Sequence, residues 1–443
     1  MNQAEEIQDN ARRYNLQSWS KQAGLNPLVI AKSDNIYYWD YEGNRYTDMS
    51  SQLVNMNLGH GNKEIIAAIK EQADRFCFIS PAIATESRST LAKMIIDLLP
   101  ETFGKVFFTN AGADANENAI KIARMYTGRK KIFSRYRSYH GSTFGAGNLT
   151  GEPRRYPLEP GIPGFVKFFD PYIYREKISF ASEKEASDFY LAKLQEQLIY
   201  ENPNEIAAIV VETITGSNGV IIPPEGYLAG VRRLCDTFGI VMICDEVMAG
   251  FCRTGKMFAF EHWDVRPDLV TFAKGVTCGY VQLGGVAVSS KIAAYFDDHL
   301  LSCGLTYSGH PLACAAGIAC IQYYQEHNIL AHVQSVGQVL GSILENLKAK
   351  HRCVGDVRYK GLFSALELVR DKETREALVA YGQDPEGIMA SIIGELKKRY
   401  FMTYSHENMI LVAPPLIITE NQLREEMEKM DEVLSWVDEK YIK

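Results

Sequence analysis

Two residues near the middle of the chain have the types that covalent amine chemistry needs. Asp245 follows the apolar run Val241-Met242-Ile243-Cys244, and Lys274 follows a second run, Leu269-Val270-Thr271-Phe272-Ala273. Short apolar runs rich in β-branched and aromatic residues read as buried strands of a parallel sheet. In such sheets ligands bind just beyond the carboxyl ends of the strands, so an acid and an amine placed there point into one crevice. A buried lysine titrates readily and can form a Schiff base with an aldehyde. A carboxylate can hold a pyridine nitrogen protonated, so that the ring draws in electrons. Those are the demands of pyridoxal phosphate catalysis. Strands that merely end in charges would look the same, so the pair has to be weighed with its surroundings.

Other strand ends supply more of a site. A strand over residues 105–109 runs into Asn110-Ala111-Gly112-Ala113-Asp114, after which Ala115, Ala119, Ile122, Ala123 and Tyr126 recur at helical spacing. A strand, a small-residue turn and a helix start form an anion site, because backbone N–H groups and the positive dipole end face the ligand. They equally form an ordinary connection. A strand at Lys131-Ile132-Phe133-Ser134 leads to Ser138-Tyr139-His140-Gly141, and the run over residues 207–211 stops at a third acid, Glu212. Residues 151–171 read as a long irregular loop with a functional purpose. Around this core the sequence predicts a polar helix to about Ser20 and a hairpin over residues 36–48, turning at Tyr41-Glu42-Gly43-Asn44. From Pro311 it predicts helix, a short sheet (residues 361–369 and 409–412) and a last helix from Glu420.

Composition bounds the alternatives. The 443 residues are 46% hydrophobic and 23% charged, which suits a globular chain of more than one domain. Lys+Arg at 47 against Asp+Glu at 54 leaves −7, and no basic run appears, so nucleic acid is not an expected partner. The start, Met1-Asn2-Gln3-Ala4-Glu5-Glu6, lacks the regions of a signal peptide, and no apolar stretch reaches the roughly 18 residues of a membrane span. Nine cysteines show no CxxC pair and no zinc spacing, so no metal is expected and a reducing cytoplasm is. Gly250-Phe251-Cys252-Arg253-Thr254-Gly255-Lys256 has the glycine and lysine spacing of a phosphate loop. Met257 stands where a Mg²⁺-binding hydroxyl belongs, and the acidic strand precedes the loop, which argues against a nucleotide site.

With Asp245, Lys274 and the Gly112 turn in view, the chain resembles the class III aminotransferases, fold-type I pyridoxal phosphate enzymes. Asp245-Glu246-Val247, Arg253-Thr254-Gly255, Pro267-Asp268, Ala273-Lys274-Gly275, Thr306-Tyr307-Ser308-Gly309-His310-Pro311 and Val412-Ala413-Pro414-Pro415-Leu416 carry the likeness. It implies an α/β fold: a large cofactor domain over residues 60–310 with a mainly parallel sheet. A smaller α+β domain would comprise residues 311–443, joined by the N-terminal segment 1–59. It implies Lys274 as Schiff-base lysine and proton shuttle, and Asp245 as partner of the pyridinium nitrogen. Val247 would pack under the ring and Tyr139 on its upper face, with His140 in the supporting turn and Glu212 beside the cofactor. Gly112 and Ala113 would offer N–H groups to the phosphate, and Thr306 would reach the neighbouring subunit's phosphate, making a homodimer that could pair into a tetramer.

The family usually has a hydroxyl at Ala113, a glutamate at Asp114 and prolines at Thr213 and Gln282. Many members also carry a carboxylate-binding arginine shortly before the Pro-Pro, and Met402-Thr403-Tyr404-Ser405-His406-Glu407 has none. Arg154, Arg155 and Arg137 are the replacement candidates. Ser18-Trp19-Ser20, Asn26-Pro27 and Ser50-Ser51-Gln52-Leu53-Val54-Asn55 are similar to the taurine aminotransferase subgroup. That implies an ω-amino sulfonate donor in a pocket of Trp19, Leu53 and Val54, with pyruvate or 2-oxoglutarate as acceptor. β-Alanine, 4-aminobutyrate and simple amines are the alternative donors, and an aminomutase or racemase is the alternative reaction.

Overall fold

A computed structural model describes residues 2–442. Its main sheet has seven strands: β1 (Phe103–Thr109), β2 (Lys131–Arg135), β3 (Phe165–Phe168), β4 (Ile206–Glu212), β5 (Val241–Asp245), β6 (Leu269–Phe272) and β7 (Gly284–Ser289). They lie in the order β1-β7-β6-β5-β4-β2-β3. Strands β2 to β6 are parallel, and β7 alone runs against its neighbours. The fold is α/β, with a mainly parallel sheet.

The apolar runs are continuous because both sheet faces are covered. Successive strand residues point to opposite faces, and the core divides accordingly. Ile209, Val211, Met242, Cys244, Val270 and Phe272 pack on one side. Ala208, Val210, Ile243 and Leu269 pack on the other, against Ala115, Ala119, Ile122 and Ala123 of the helix Gly112–Thr127.

The N-terminal hairpin forms as expected, Tyr37–Asp40 with Arg45–Asp48, preceded by Ile30–Asp34. Its sheet is completed by a parallel strand from far along the chain, Phe401–Met402, with Phe401 opposite Thr47. The C-terminal sheet pairs Phe363–Asp371 with Val354–Lys360 and Met409–Val412, and the helix Glu420–Tyr441 closes the chain. Arg253 ties these parts together. Its buried guanidinium donates to the Leu362 and Pro414 carbonyls at 3.0 and 2.6 Å, and to Ser51 Oγ and Asn57 Oδ1 at 3.0 and 2.7 Å.

Two expectations change. The first helix is Gln3–Tyr14 and stops short of Ser20, at the extended Asn15. The stretch 151–171 is not wholly irregular: it holds the 3-10 helix Pro153–Leu158 and the edge strand β3. A four-residue edge strand containing Lys167 and flanked by glycine and proline carries almost no period-2 signal. The residues of the apparent phosphate loop form turns. Glu246, just before them, accepts from Thr213 Oγ1 and from the N–H groups of Ala259 and Phe260, and so caps the 3-10 helix Ala259–Trp263.

Candidate active site

Strand register makes the first part of the site. Glu212 lies opposite Asp245 across β4 and β5, and Asp245 lies opposite Thr271 across β5 and β6. The two acids therefore stand side by side, with Lys274 just past the end of the third strand. All three line a cavity of about 450 Å³, together with the turn after β1 and the turn after β2.

Asp245 is held by donors only. His140 Nδ1 is 2.7 Å from its Oδ2, Asn116 Nδ2 donates to the same oxygen at 2.8 Å, and the Val247 N–H donates to Oδ1 at 3.0 Å. Asn116 is fixed in turn: it accepts from Thr271 Oγ1 at 2.9 Å and donates to the His140 carbonyl at 2.9 Å. Glu212 accepts from the Tyr139 N–H at 3.0 Å and from the Gly216 N–H at 2.6 Å. Burial raises its carboxyl above the usual range, the Asp245 charge adding to the rise and His140 opposing it.

Lys274 occupies the left-handed region, φ 46°, in the tight turn that follows β6. Its amine has no hydrogen-bond or ion-pair partner among the described residues, although the cavity leaves part of the side chain open. Loss of hydration pulls the amine down to about 8, while the Asp245 and Glu212 carboxylates resist the fall. A lysine so placed has a larger uncharged, nucleophilic fraction near neutral pH than a surface lysine, and is mainly uncharged above about 8.

Opposite it, the helix Gly112–Thr127 begins with no side-chain cap, so the N–H groups of its first turn face the cavity unused. The approach depends on glycine: a Cβ at Gly112 would sit 2.9 Å from Val247 Cγ1, and one at Gly141, where φ is 131°, would sit 2.6 Å from Ala113 Cβ. Tyr139 forms a wall, with Arg154 stacked on it, guanidinium carbon 3.8 Å from the ring centroid. Trp19 meets Tyr139 edge-on at 6.3 Å and lies 5.4 Å from the same guanidinium.

An amine, a donor-fixed acid, an aromatic wall and an uncapped helix start thus converge on one cavity. The family model for class-III aminotransferases matches residues 19–434. The chain belongs to the class-III aminotransferases. Among solved structures it is similar to a taurine:2-oxoglutarate aminotransferase from Bifidobacterium kashiwanohense, determined with PLP and glutamate. That likeness is 55% in sequence with a TM-score of 0.97, covering 100% of this chain and 99% of the other. An (S)-enantioselective omega-transaminase from Thermomicrobium roseum is 34% identical with a TM-score of 0.94, covering 99% of each chain. A taurine–pyruvate aminotransferase from Bilophila wadsworthia is 30% identical over 459 residues, 97% of both chains.

In this aminotransferase Leu53 also lines the cavity, though it is 66% exposed. Val54 does not: the Ser51–Val54 turn carries positive φ at Ser51, Gln52 and Val54, which sends Val54 into the core with Ile214 and Val220. Arg155 is likewise not brought to the cavity. It pairs with Glu159 at 3.1 Å and lines a separate cavity that holds Lys167 and Tyr172. Thr306 is exposed and does not line the cavity of its own chain. Sequence reasoning overlooked Asn116 and Thr271, which orient Asp245. The available signal was polarity in apolar places: Asn116 adjoins the buried Ala115, and Thr271 interrupts a strand that is otherwise apolar.

Proposed function

We propose that this chain is a pyridoxal phosphate-dependent aminotransferase whose preferred donor is taurine, yielding sulfoacetaldehyde, with 2-oxoglutarate or pyruvate accepting the amino group. The residues present fit the family's cofactor. The uncapped start of the helix at Gly112 and Ala113 suits a phosphate; the missing hydroxyl at Ala113 leaves that contact to backbone N–H groups. When bound, the cofactor supplies an aldehyde that holds an amine and a ring that withdraws electrons. Asp245, with every hydrogen bond directed at its oxygens, keeps the proton on the ring nitrogen. Lys274 Nζ, without a hydrogen-bond partner among the described residues, takes and returns the proton on the amine-bearing carbon of the substrate. Tyr139 and Val247 close the two faces and exclude water. Glu212 and His140 fix the Tyr139 backbone and the Asp245 carboxylate.

The observation that carries the donor assignment is the placement of Arg154. A sulfonate is a permanent anion with three acceptor oxygens, so it needs a cation or several N–H donors in a partly dry pocket. Arg154 and Trp19 do not themselves line the cavity of the single chain; Arg154 lies against its wall residue Tyr139, near enough to Lys274 for its charge to bear on the amine, and Trp19, 62% exposed, sits 5.4 Å from the guanidinium. The likeness at 55% identity to a taurine:2-oxoglutarate enzyme supports the same donor and favours 2-oxoglutarate as acceptor. The active unit in this reading is a homodimer: Leu53, Phe78 and Tyr307 are exposed apolar residues that another subunit would cover, and Thr306 would serve the neighbour's phosphate. Residues 1–59 would belong with the C-terminal part, which the Phe401–Thr47 pairing supports.

Replacing Arg154 by alanine should lower kcat/KM for taurine about 10- to 100-fold relative to n-propylamine, the loss of charge-assisted hydrogen bonds. Steady-state rates on both donors decide it. Equal losses for the two would remove Arg154 from the sulfonate site.

A further inference from the structure

Arg154 is itself held in place. A guanidinium has five N–H bonds. Nε donates to Glu152 Oε1, and Nη2 donates to Ser217 Oγ at 2.8 Å; the other N–H bonds have no partner among the described residues. Glu152 and Ser217 are both buried, 1% and 7% exposed. Among the described residues the second carboxylate oxygen, Glu152 Oε2, makes no hydrogen bond, and neither does His406 Nε2, which it faces at 3.6 Å. Burial, with Arg154 and Arg137 nearby, pushes the His406 imidazole down to about 4, so that ring is neutral at pH 7. Arg154 is therefore the cation hydrogen-bonded to this buried carboxylate. Separating the two would leave a charge unpaired inside the protein, which is costly. The pair is also neutral as a unit, so the guanidinium can rest on Tyr139 in a half-buried pocket when no anion is bound.

We propose that Glu152, seconded by Ser217, is a positioning residue for donor specificity: it pins Arg154 flat against Tyr139 and leaves the remaining guanidinium N–H bonds for the anionic end of the donor. Glu152 touches no substrate and acts through Arg154. The inference rests on the taurine reading above. Its physical content is that the arginine cannot move to meet an anion, so the anionic end must fit the distance between Arg154 and Lys274. A donor without an anionic end gains nothing from the arrangement.

The test is the first half-reaction of the cofactor-loaded enzyme, followed by the visible band of the cofactor, with taurine and with n-propylamine. Glu152→Ala should raise the half-saturating taurine concentration about tenfold, the loss of a hydrogen bond to a charged group, with a much smaller change in the limiting rate. The taurine-to-propylamine ratio of rate constants should fall by the same factor. Glu152→Gln keeps an acceptor oxygen for Arg154 Nε and should recover most of the ratio. Ser217→Ala, a small change that the fold tolerates, should shift the ratio the same way by less. The proposal is overturned if Glu152→Ala slows both donors equally, or if Gln is as damaging as Ala. It is also overturned if Ser217→Ala leaves the ratio where it was, a result that stands even should Glu152→Ala not fold. Arg154→Ala separates the two claims. If it spares the ratio, the taurine reading itself fails; if it collapses the ratio while the Glu152 and Ser217 variants do not, only the positioning role fails.

Discussion

Lys274→Ala should leave a folded protein that no longer transaminates, with kcat lower by at least about 10⁴-fold, the upper range for loss of a general base alone. The fold should survive because the Lys274 amine has no hydrogen-bond partner to lose among the described residues, and alanine meets the φ of 46° no worse than lysine does. The visible band of the cofactor should wash out on dialysis in the variant and persist in wild type. A pH dependence accompanies it. Burial lowers the amine from its ordinary 10.5 to about 8, so it is protonated below that value and free above it. Capture of added cofactor by the wild-type apoprotein should therefore speed up as pH rises through about 8 and then level off. An unshifted lysine would keep gaining beyond pH 10. A dialysis-resistant band and ordinary turnover in Lys274→Ala would place the amine elsewhere.

Asp245→Asn should be the next most damaging change. Asn116 and His140 both direct donors at Oδ2, and the Val247 N–H is directed at Oδ1. An asparagine must present its NH₂ to one of these, so a buried donor faces a donor whichever way the amide turns. The negative charge beside the ring nitrogen is lost as well. Breaking a buried charged pair costs about 3–5 kcal/mol, which as a barrier is about two to four orders of magnitude in kcat. Single-turnover rates with a saturating donor measure it directly, and a rate within tenfold of wild type would show that Asp245 does not serve the ring.

The strands that carry these residues were legible because burial on both sheet faces leaves an apolar run with a charged residue at its end. Asp245, Glu212 and Lys274 stand out as strand-end charges on that ground, and the turn at Gly112 by its small residues, but their roles follow only from the resemblance that the neighbouring motifs carry. The supports of Asp245 were not legible in the same way. Asn116 reaches it from a helix and Thr271 acts through Asn116 from the neighbouring strand, an arrangement that only the packing of that helix on the paired strands β5 and β6 brings together. The arginines show another limit. Arg154 and Arg155 are adjacent in one 3-10 helix, yet one stacks on Tyr139 and the other turns to Glu159. No local pattern distinguishes them. Val54 misled for a related reason, since residues in left-handed turns do not follow the strand or helix periods from which side-chain direction is read.

Taurine as donor is the central claim, and product formation tests it most directly. Cofactor-loaded wild-type protein should convert taurine and 2-oxoglutarate into sulfoacetaldehyde and glutamate in equal amounts, faster than it consumes β-alanine or 4-aminobutyrate under the same conditions. If it forms no glutamate from taurine while using either of those amines well, the sulfonate assignment is wrong and the chain is an aminotransferase for a different ω-amine.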